Sequence, residues 1–494
     1  MKLDTEVIVV GSGFSGIGIG IALKKDKFDF LILEKAHTLG GTWRDNTYPG
    51  IAVDIASFTY SFSFAQNPDW SRVFAPGHEL AEYARKLSVD YELEAHMRFG
   101  KTVESAVYNE KQKYWQVNLA DGSQLTARFF ITATGALTQP KLPQIPGWES
   151  FAGKVIHTAR WDHTADLRNK RVGIIGTGAT SVQLAPALAP ITSHLTVFQR
   201  TPIWIFPKPD AEISHEIREL FKLFPVLQWF MRGISSSITE AVMVLGVIYN
   251  RQFPWLTKAL EQICRNHLNS QVADASLRDK LTPDYGFGCK RPSFSNEYLK
   301  TFNHENVSLE TNGIREVVKE GIITNSGELV ELDIIIAATG FKVFEFGNLP
   351  PFEVAGRNEL ELGQFFEENR FQAYEGTSVP GFPNLFMMVG PYSAAGASWF
   401  QMIEVQTRHI MRCLNEARRR KMNEIEVSQI AHKKYFEDIL QRQKNTVFYN
   451  SNCASANSYY FDKHGDAPFL RPMPYLESVL HSRFFNLNDY RYTS

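Results

Sequence analysis

The sequence has few cysteines and no excess of either charge. The four cysteines stand far apart in 494 residues and form no C-x-x-C pair: Cys264, Cys289, Cys413 and Cys453. This spacing argues against a disulfide framework, a zinc site and a redox dithiol, and it favours a reducing, cytoplasmic location. Lys and Arg number 52 and Asp and Glu 53. Because the net charge is close to zero, nothing in it indicates a nucleic-acid partner.

Long apolar runs are also absent. The longest, at residues 241–249, has about half of the roughly 20 residues that cross a bilayer, so we predict no transmembrane segment. Met1 is followed almost directly by a strand-like segment, which leaves no room for a secretory signal. Residues 225–249 are rich in Leu, Phe, Met and Val. Core-facing helices explain this composition most simply, and a substrate entry or a membrane contact is the alternative.

What the chain does contain is a strand, a Gly-rich turn and a helix near its start. An apolar strand at 6–10 leads into Gly11, Gly13 and Gly16. In such a unit the first glycine makes the tight turn, the second lets the backbone approach a pyrophosphate and the third allows close helix packing. The next strand ends at Glu34, where an acid binds a ribose 2′-hydroxyl. A carboxylate there repels a 2′-phosphate, so this site favours FAD or NAD over NADP.

A second unit of the same kind begins at residue 171. Gly176 and Gly178 occupy the first two glycine positions and Ser181, still small, the third. The strand that follows ends at Arg200, where the acidic residue is missing. A guanidinium there suits the 2′-phosphate of NADP, although taken alone it could be a solvated surface arginine. Together the two sites imply that NADPH reduces a bound flavin.

The order of patterns predicts the fold class. Both nucleotide units read as strand–helix–strand, residues 209–283 have helical periodicity, and strands and then a helical region at about 398–443 follow. We therefore predict an α/β protein with two Rossmann-type dinucleotide-binding domains and a helical insertion in the second. The predicted division is 1–140 with 381–494 for FAD, 141–208 with 288–380 for NADP, and 209–287 for the insertion.

Between the two units lies a spaced motif made of Phe151, Gly153, His157, Trp161 and Asp162. It resembles the F-x-G-x-x-x-H-x-x-x-W-[P/D] signature of type I Baeyer–Villiger monooxygenases, which both Gly-rich motifs flank in that family. Flavin-containing monooxygenases that oxidise nitrogen or sulfur usually have a different aromatic residue there. From the residues alone, His157 would be a linker histidine bonded to backbone, and the resemblance implies a conformational role for it.

Further segments extend this resemblance over most of the chain. Residues 48–50 (Tyr-Pro-Gly) followed by Asp54 and Tyr60 resemble a flavin-contacting stretch, and Lys290 and Arg291 resemble the segment that supplies the active-site arginine. Residues 382–385 and 390–391 resemble the return to the flavin domain. Two departures stand out: Ser-Tyr-Tyr at 458–460 replaces the family's Ser-Trp-Tyr, and the insertion is shorter.

The resemblance implies a reaction with molecular oxygen. NADPH would reduce FAD, and a C4a-peroxyflavin stabilised by Arg291 would insert oxygen beside a ketone carbonyl, giving an ester or lactone. Asp54 would hold Arg291, and Lys290 would reach the NADP phosphate. Read alone, these residues would be a surface Lys-Arg pair and a helix-capping Asp. N- or S-oxygenation of an amine or thioether, flavin reduction without oxygenation, and a non-enzymatic flavin-binding role are the alternatives.

These arguments give three sets of candidate residues. The catalytic set is Arg291, Asp54 and Lys290. The residues expected to bind FAD are Gly11, Gly13, Phe14, Ser15, Gly16, Glu34, Gly41, Thr42, Trp43, Asp54, Tyr60 and Val103. The residues expected to bind NADP are Gly176, Thr177, Gly178, Ala179, Thr180, Ser181, Gln183, Arg200, Thr201 and Lys290. No metal site is expected.

Overall fold

The structure is a computed structural model that describes residues 2–345, 347–394 and 398–494. Its strands, in chain order, are β1 Thr5–Val10, β2 Phe30–Leu33, β3 Met97–Arg98, β4 Val103–Asn109, β5 Tyr114–Leu119, β6 Gln124–Thr132, β7 Lys154–His157, β8 Arg171–Ile175, β9 His194–Phe198, β10 Ile205–Phe206, β11 Ser293–Phe294, β12 Val307–Glu310, β13 Ile314–Val318, β14 Gly321–Thr324, β15 Leu329–Glu331, β16 Ile334–Ala337, β17 Glu353–Ala355, β18 Leu385–Met387, β19 Glu424–Val427 and β20 Tyr490–Thr493.

The helices lie among these strands up to residue 369 and predominate after residue 398. They are α1 Phe14–Lys25, α2 Thr42–Asp45, α3 Gly77–Asp90, α4 Ala179–Leu188, α5 His215–Leu223, α6 Pro225–Ala241, α7 Pro254–Gln271, α8 Ala275–Leu281, α9 Tyr298–Thr301, α10 Leu362–Asn369, α11 Trp399–Arg420, α12 Gln429–Gln443, α13 Val447–Asn450 and α14 Tyr475–Phe484. A π-helical stretch, Val242–Ile248, continues α6.

The first nucleotide unit is built on an eight-stranded sheet. Its strand order is β17-β4-β5-β6-β1-β2-β3, and β18 also pairs with β6. Strand β1 lies parallel to β2 and β6, whereas β4, β5 and β6 form an antiparallel meander. Helix α1 packs on α11, and the approach is close because a Cβ on Gly18 would lie 2.8 Å from Cγ2 of Ile403. Helix α11 therefore completes the core around the first Gly-rich turn.

The second nucleotide unit has a five-stranded parallel sheet in the order β12-β9-β8-β16-β7. All four β16 residues are buried, which fits a parallel sheet covered on both faces. A small antiparallel sheet of β13, β14 and β15 is attached to it. The α/β class with two Rossmann-type units is therefore confirmed.

Helices α5 to α8 occupy the region that the sequence marks as a helical insertion. Within it, residues 239–248 are divided between the end of α6 and the π-helical stretch. The region 398–443 also divides, because α11 ends at Arg420, the next residue, Lys421, has φ +58°, and β19 follows. A left-handed residue is a common helix terminator, and composition alone does not reveal where it falls.

Two expectations need correction. Strand β17 pairs with β4 in the first sheet, although the sequence analysis placed residues 353–355 in the NADP domain. It is a three-residue edge strand, too short for a pattern to be recognised. In addition, Cys289 and Cys453 form a disulfide, whereas their spacing had argued against one. Separation along the chain says little about distance in the fold: residues 284–289 and 451–457 pack together, and the two Cα atoms are 5.1 Å apart.

A buried ion pair ties the C-terminal region to the core beside the first sheet. The Arg471 guanidinium is 1% exposed and donates to Oε2 of Glu375 at 2.9 Å and to the carbonyl of Tyr392 at 3.1 Å. His481 Nδ1 lies 3.0 Å from the other carboxylate oxygen of Glu375. Burial opposes ionisation of Glu375, but the Arg471 charge and the His481 hydrogen bond outweigh it and lower the pKa of this carboxyl.

Replacing Arg471 with Met should lower the free energy of unfolding by about 3–5 kcal/mol, because it leaves the Glu375 carboxylate buried without its main partner. Urea unfolding followed by far-UV circular dichroism measures the change. The matched control is Arg483→Met, since that arginine is exposed. A loss for Arg471→Met no greater than for the control would contradict the assignment.

Candidate active site

The first Gly-rich turn needs glycine for steric reasons. Gly11 has φ +109°, and a Cβ there would lie 2.5 Å from the carbonyl oxygen of Ala133. A Cβ on Gly16 would lie 1.9 Å from the carbonyl oxygen of Gly11. Helix α1 starts next to this turn with Gly13 as its N-cap, no side-chain cap and no acidic residue in its first turn. Its free N–H groups therefore suit a pyrophosphate.

Glu34 stands at the end of β2, beside this turn. It is 5% exposed, and its carboxylate accepts hydrogen bonds from the backbone N–H and the hydroxyl of Ser12 at 3.0 and 2.9 Å. Arg44 Nη1 lies 3.1 Å from its other oxygen. The acid is therefore fixed where a ribose would bind. The sequence analysis missed Arg44, which directly follows the predicted Thr42–Trp43 pair.

A cleft runs from these residues along the carboxyl ends of β1 and β6. It is lined by most of the residues predicted to bind FAD: Gly11, Gly13, Phe14, Ser15, Glu34, Gly41, Thr42, Trp43, Tyr60 and Val103. Gly16 and Asp54 do not line it. Residues 133–139, Trp399 and Phe400 complete the wall and were not predicted. Their signal was weak, since an Ala-Thr-Gly turn after a strand is common.

Aromatic side chains form one end of this cleft. The Tyr60 ring lies edge-on to Trp43 and to Phe400, with centroid distances of 5.6 and 5.0 Å. Burial raises the pKa of Tyr60, so its hydroxyl stays protonated at neutral pH. A second cavity of about 840 Å³ adjoins the cleft and shares Trp43 and Arg44 with it. Flat apolar walls of this kind fit a planar ring system.

The second Gly-rich turn repeats the geometry of the first. Gly176 has φ +113°, and a Cβ there would lie 2.6 Å from the carbonyl oxygen of Ala338. Helix α4 has Gly178 as its N-cap, without a side-chain cap and without an acid in its first turn. Ser181 is fully buried, as its packing position predicts. This helix end, with Ala179 and Thr180 in its first turn, can also receive a phosphate.

The Tyr-Pro-Gly segment joins the two nucleotide units. The Tyr48 hydroxyl donates to Oε1 of Gln183 at 2.9 Å, and Nε2 of Gln183 donates to the carbonyl of Ala52 at 2.8 Å. Gly50 has φ +82°, and a Cβ there would lie 2.5 Å from the backbone carbonyl oxygen of Gln183. Both polar ends of the Gln183 amide are therefore used at the junction between the domains.

Two cations lie together near the second turn. Arg200 is exposed at the end of β9, and it interacts electrostatically with Lys290. Burial, and then the Arg200 charge, lower the pKa of Lys290 to about 8. The neighbouring Thr201 accepts from Asn457 Nδ2 at 2.8 Å, and Thr177 donates to its carbonyl at 2.7 Å. Neither cation forms an ion pair within the part of the chain that the structure describes, and two adjacent cations suit a doubly charged anion.

Arg291 and Asp54 form a bidentate ion pair between the two units. Nε donates at 2.9 Å and the second guanidinium nitrogen at 2.8 Å, one to each carboxylate oxygen. The Asp54 charge raises the pKa of Arg291, against the effect of burial, so the guanidinium stays protonated. Tyr459 and Tyr460, where the family has Trp-Tyr, interact electrostatically with Arg291. The structure thus brings together residues 237 positions apart.

The motif at 151–162 lies outside the cleft of the first unit. His157 ends β7, and its Nδ1 accepts from the backbone N–H of Ala159 at 3.1 Å. Trp161 packs against the core of the second unit, and Asp162 forms an ion pair with Lys154. These contacts order the connection into the second unit, which supports a conformational role for His157.

Comparison with known proteins places this geometry in a family. Residues 8–224 match the model of the pyridine nucleotide-disulphide oxidoreductases. A Baeyer–Villiger monooxygenase of Pseudomonas aeruginosa is 37% identical over 91% of this chain and 84% of its own length. One from Streptomyces coelicolor is 35% identical over 98% and 92%. The crystal structure of OTEMO in complex with FAD and NADP superposes with a TM-score of 0.87 at 27% identity, covering all of both chains. This chain belongs to the Baeyer–Villiger monooxygenases.

Proposed function

We propose that this protein uses NADPH, FAD and O₂ to insert one oxygen atom beside a ketone carbonyl, giving an ester or lactone. The observation that carries the proposal is the Arg291–Asp54 pair, which holds a permanent cation between the two nucleotide units. Relatives named Baeyer–Villiger monooxygenase support ketone oxidation over N- or S-oxygenation. The same relatives, named monooxygenases, also disfavour flavin reduction without oxygenation.

The cleft of the first unit would hold FAD. The N-terminus of α1 would receive the pyrophosphate, Glu34 would bind a ribose hydroxyl, and Trp43 and Tyr60 would flank the ring end. Bound FAD, once reduced, supplies the activation of dioxygen. The division of the chain into an FAD domain, which includes β17, an NADP domain and a helical insertion is part of this proposal. A cytoplasmic location is also part of it.

NADPH would bind at the second unit. The N-terminus of α4 would receive its pyrophosphate, while Arg200 and Lys290 would bind the 2′-phosphate. The missing acid at the end of β9 supports this choice, because a carboxylate there would repel the phosphate. Asn457, held to Thr201, lies at the same site and links it to the C-terminal segment.

Arg291 would act on the reacting atoms through its charge. Its guanidinium would stabilise the negative charge that develops on the carbonyl oxygen of the ketone. Asp54 would act by positioning, since its two oxygens fix both the location and the plane of the guanidinium. Lys290 would contribute through NADPH binding and would not touch the ketone.

The reaction can be tested by reducing the protein with NADPH, admitting oxygen and offering ketones, amines and thioethers. We expect ester or lactone from ketones.

Replacing Arg291 with Ala should lower the rate of product formation by about 100- to 1,000-fold, while anaerobic bleaching of the flavin by NADPH persists. The rate of product formation by Asp54→Asn should lie between the rates of Arg291→Ala and the wild type. Oxidation of amines alone, or equal loss of reduction and oxygenation in Arg291→Ala, would disprove the proposed role.

Replacing Arg200 with Ala should raise KM for NADPH by roughly 10- to 100-fold, since it removes a charged hydrogen-bond donor to the 2′-phosphate. KM for NADH should stay nearly unchanged and is the internal control. Steady-state flavin reduction with each nucleotide measures both values. An equal rise for NADPH and NADH would assign Arg200 to another part of the cofactor.

The lowered pKa of Lys290 predicts a pH dependence of NADPH binding. Below about pH 8 the ammonium is charged and can bind the 2′-phosphate, and above it this attraction is lost. Kd for NADPH should therefore rise between pH 7 and 9, whereas Lys290→Met should bind weakly with little change over this range. Binding titrations monitored by flavin absorbance measure it. The same pH profile in Lys290→Met as in the wild type would place the titrating group elsewhere.

A further inference from the structure

Helix α6 has its polar side against the protein and its apolar side toward solvent. Gln228 and Arg232 are 3% and 7% exposed, while Trp229 and Phe230 are 62% and 60% exposed. Other exposed apolar side chains on or beside the helix are Leu223, Phe224, Val226, Leu227, Met231, Ile234 and Ile238. Because these apolar side chains face solvent, the interpretation of this segment as a core-facing helix is wrong. An ordinary surface helix has the opposite arrangement, with its apolar side buried.

The inward side of α6 is fastened by specific hydrogen bonds. Arg232 Nη1 donates to the carbonyls of Phe58 and Ser61 at 2.9 and 2.7 Å, and Gln228 donates to the carbonyl of Asn67. Ser235 and Ser236 lie within hydrogen-bond distance of the Thr59 hydroxyl. Pulling the helix away would leave a buried guanidinium and several carbonyls without partners. The orientation of the apolar face is thus fixed by the fold.

The apolar face also has the length and composition of a membrane-contacting segment. Among residues 2–345, 347–394 and 398–494, Pro225–Ile248 is the one helix long and apolar enough to cross a membrane, and only 22% of its most apolar window is buried. A helix from the core of a soluble protein would be mostly buried, and a signal sequence would lie near the N-terminus. Neither explanation fits this segment.

Charge at the end of this segment is complementary to an anionic lipid surface. Exposed Arg251 and Lys258 follow it and flank exposed Trp255, and neither cation forms an ion pair within the described residues. At the other end, Lys222 is compensated by Asp69 and Glu219. Tryptophan beside lysine and arginine is typical of the boundary between headgroups and acyl chains.

We propose that α6 docks the protein on the surface of a phospholipid bilayer, with Trp229 and Phe230 inserted among the acyl chains. The helix would lie on the membrane and not cross it, because Gln228 and Arg232 keep its other side bound to the protein. The inference is independent of the proposed reaction, since lipid binding is measured without substrate. The loop that α6 holds, residues 58–61, carries Tyr60 of the flavin cleft, so docking would bring that cleft close to the bilayer.

The test is flotation of the full-length holoenzyme with vesicles of phosphatidylcholine containing about one third phosphatidylglycerol, and with vesicles of phosphatidylcholine alone. We expect binding to both, stronger with the anionic lipid and weakened by salt. Trp229→Ser/Phe230→Ser should lower the vesicle affinity at least about tenfold. The matched control is Val89→Ser/Ile430→Ser, which removes two exposed apolar side chains from α3 and α12; its affinity should equal that of the wild type.

Flavin absorbance and thermal unfolding of each variant show that it is folded. Sedimentation velocity without lipid tests whether a second copy of the chain covers the same face. Absence of vesicle binding by the wild type would overturn the proposal. A dimer that Trp229→Ser/Phe230→Ser disperses, with no lipid binding, would assign the face to self-association instead. Equal losses in both double variants would also overturn it.

Discussion

The bidentate contact between Arg291 and Asp54 connects the parts of the protein that must act together. Asp54 follows the Tyr-Pro-Gly segment, which packs against α4 of the second unit, and Arg291 lies in a loop between the helical insertion and β11. The position of the cation therefore depends on the packing of both nucleotide units. Because Gln183 and Gly50 meet backbone to backbone, a shift of one unit relative to the other would move Asp54 and its partner together.

The C-terminal segment adds a second connection at the same place. The disulfide from Cys289 to Cys453 holds this segment directly before Lys290 and Arg291, and Asn457 continues it to Thr201 at the second nucleotide unit. Residues 452–455 thus contact residues 284–289, which lead directly to both cations. Tyr459 and Tyr460 both interact electrostatically with Arg291; Tyr460 is 9% exposed and Tyr459 is 41% exposed, and Tyr459 places a phenol where the family resemblance implies an indole.

The two Gly-rich turns could be predicted from sequence because each is encoded within about 30 contiguous residues. A Cβ on Gly11 or Gly176 would clash with the backbone just after the neighbouring strand of the sheet, β6 or β16, which explains why those positions need glycine. The walls of the cleft at residues 133–139 and 399–400 come from distant parts of the chain, so a local sequence pattern does not reveal them. The pairing of Asp54 with Arg291 was expected only through family resemblance.

Elements without a strong local pattern were misjudged for physical reasons. Strand β17 is short and depends on β4 for its existence, and the disulfide depends on a loop packing that spacing cannot reveal. The composition of α6 is the same for a buried and an exposed apolar face. The hydrogen bonds of the polar residues decide which face is buried: Gln228 and Arg232 donate to backbone carbonyls of the protein, so the polar face is buried and the apolar face is exposed.

The strand order of the first sheet also sets the order in which the domains can be completed on the ribosome. The parallel sheet of the second unit uses strands between residues 154 and 337, whereas the first sheet waits for β17 and β18, which end at residue 387. Translation at about 5–20 residues per second separates β6 from β18 by roughly 10–50 seconds. During this interval β6 exists without β18, and β4 exists without β17. The sheet that begins the chain is therefore finished after the parallel sheet whose strands lie between β6 and β17 in sequence.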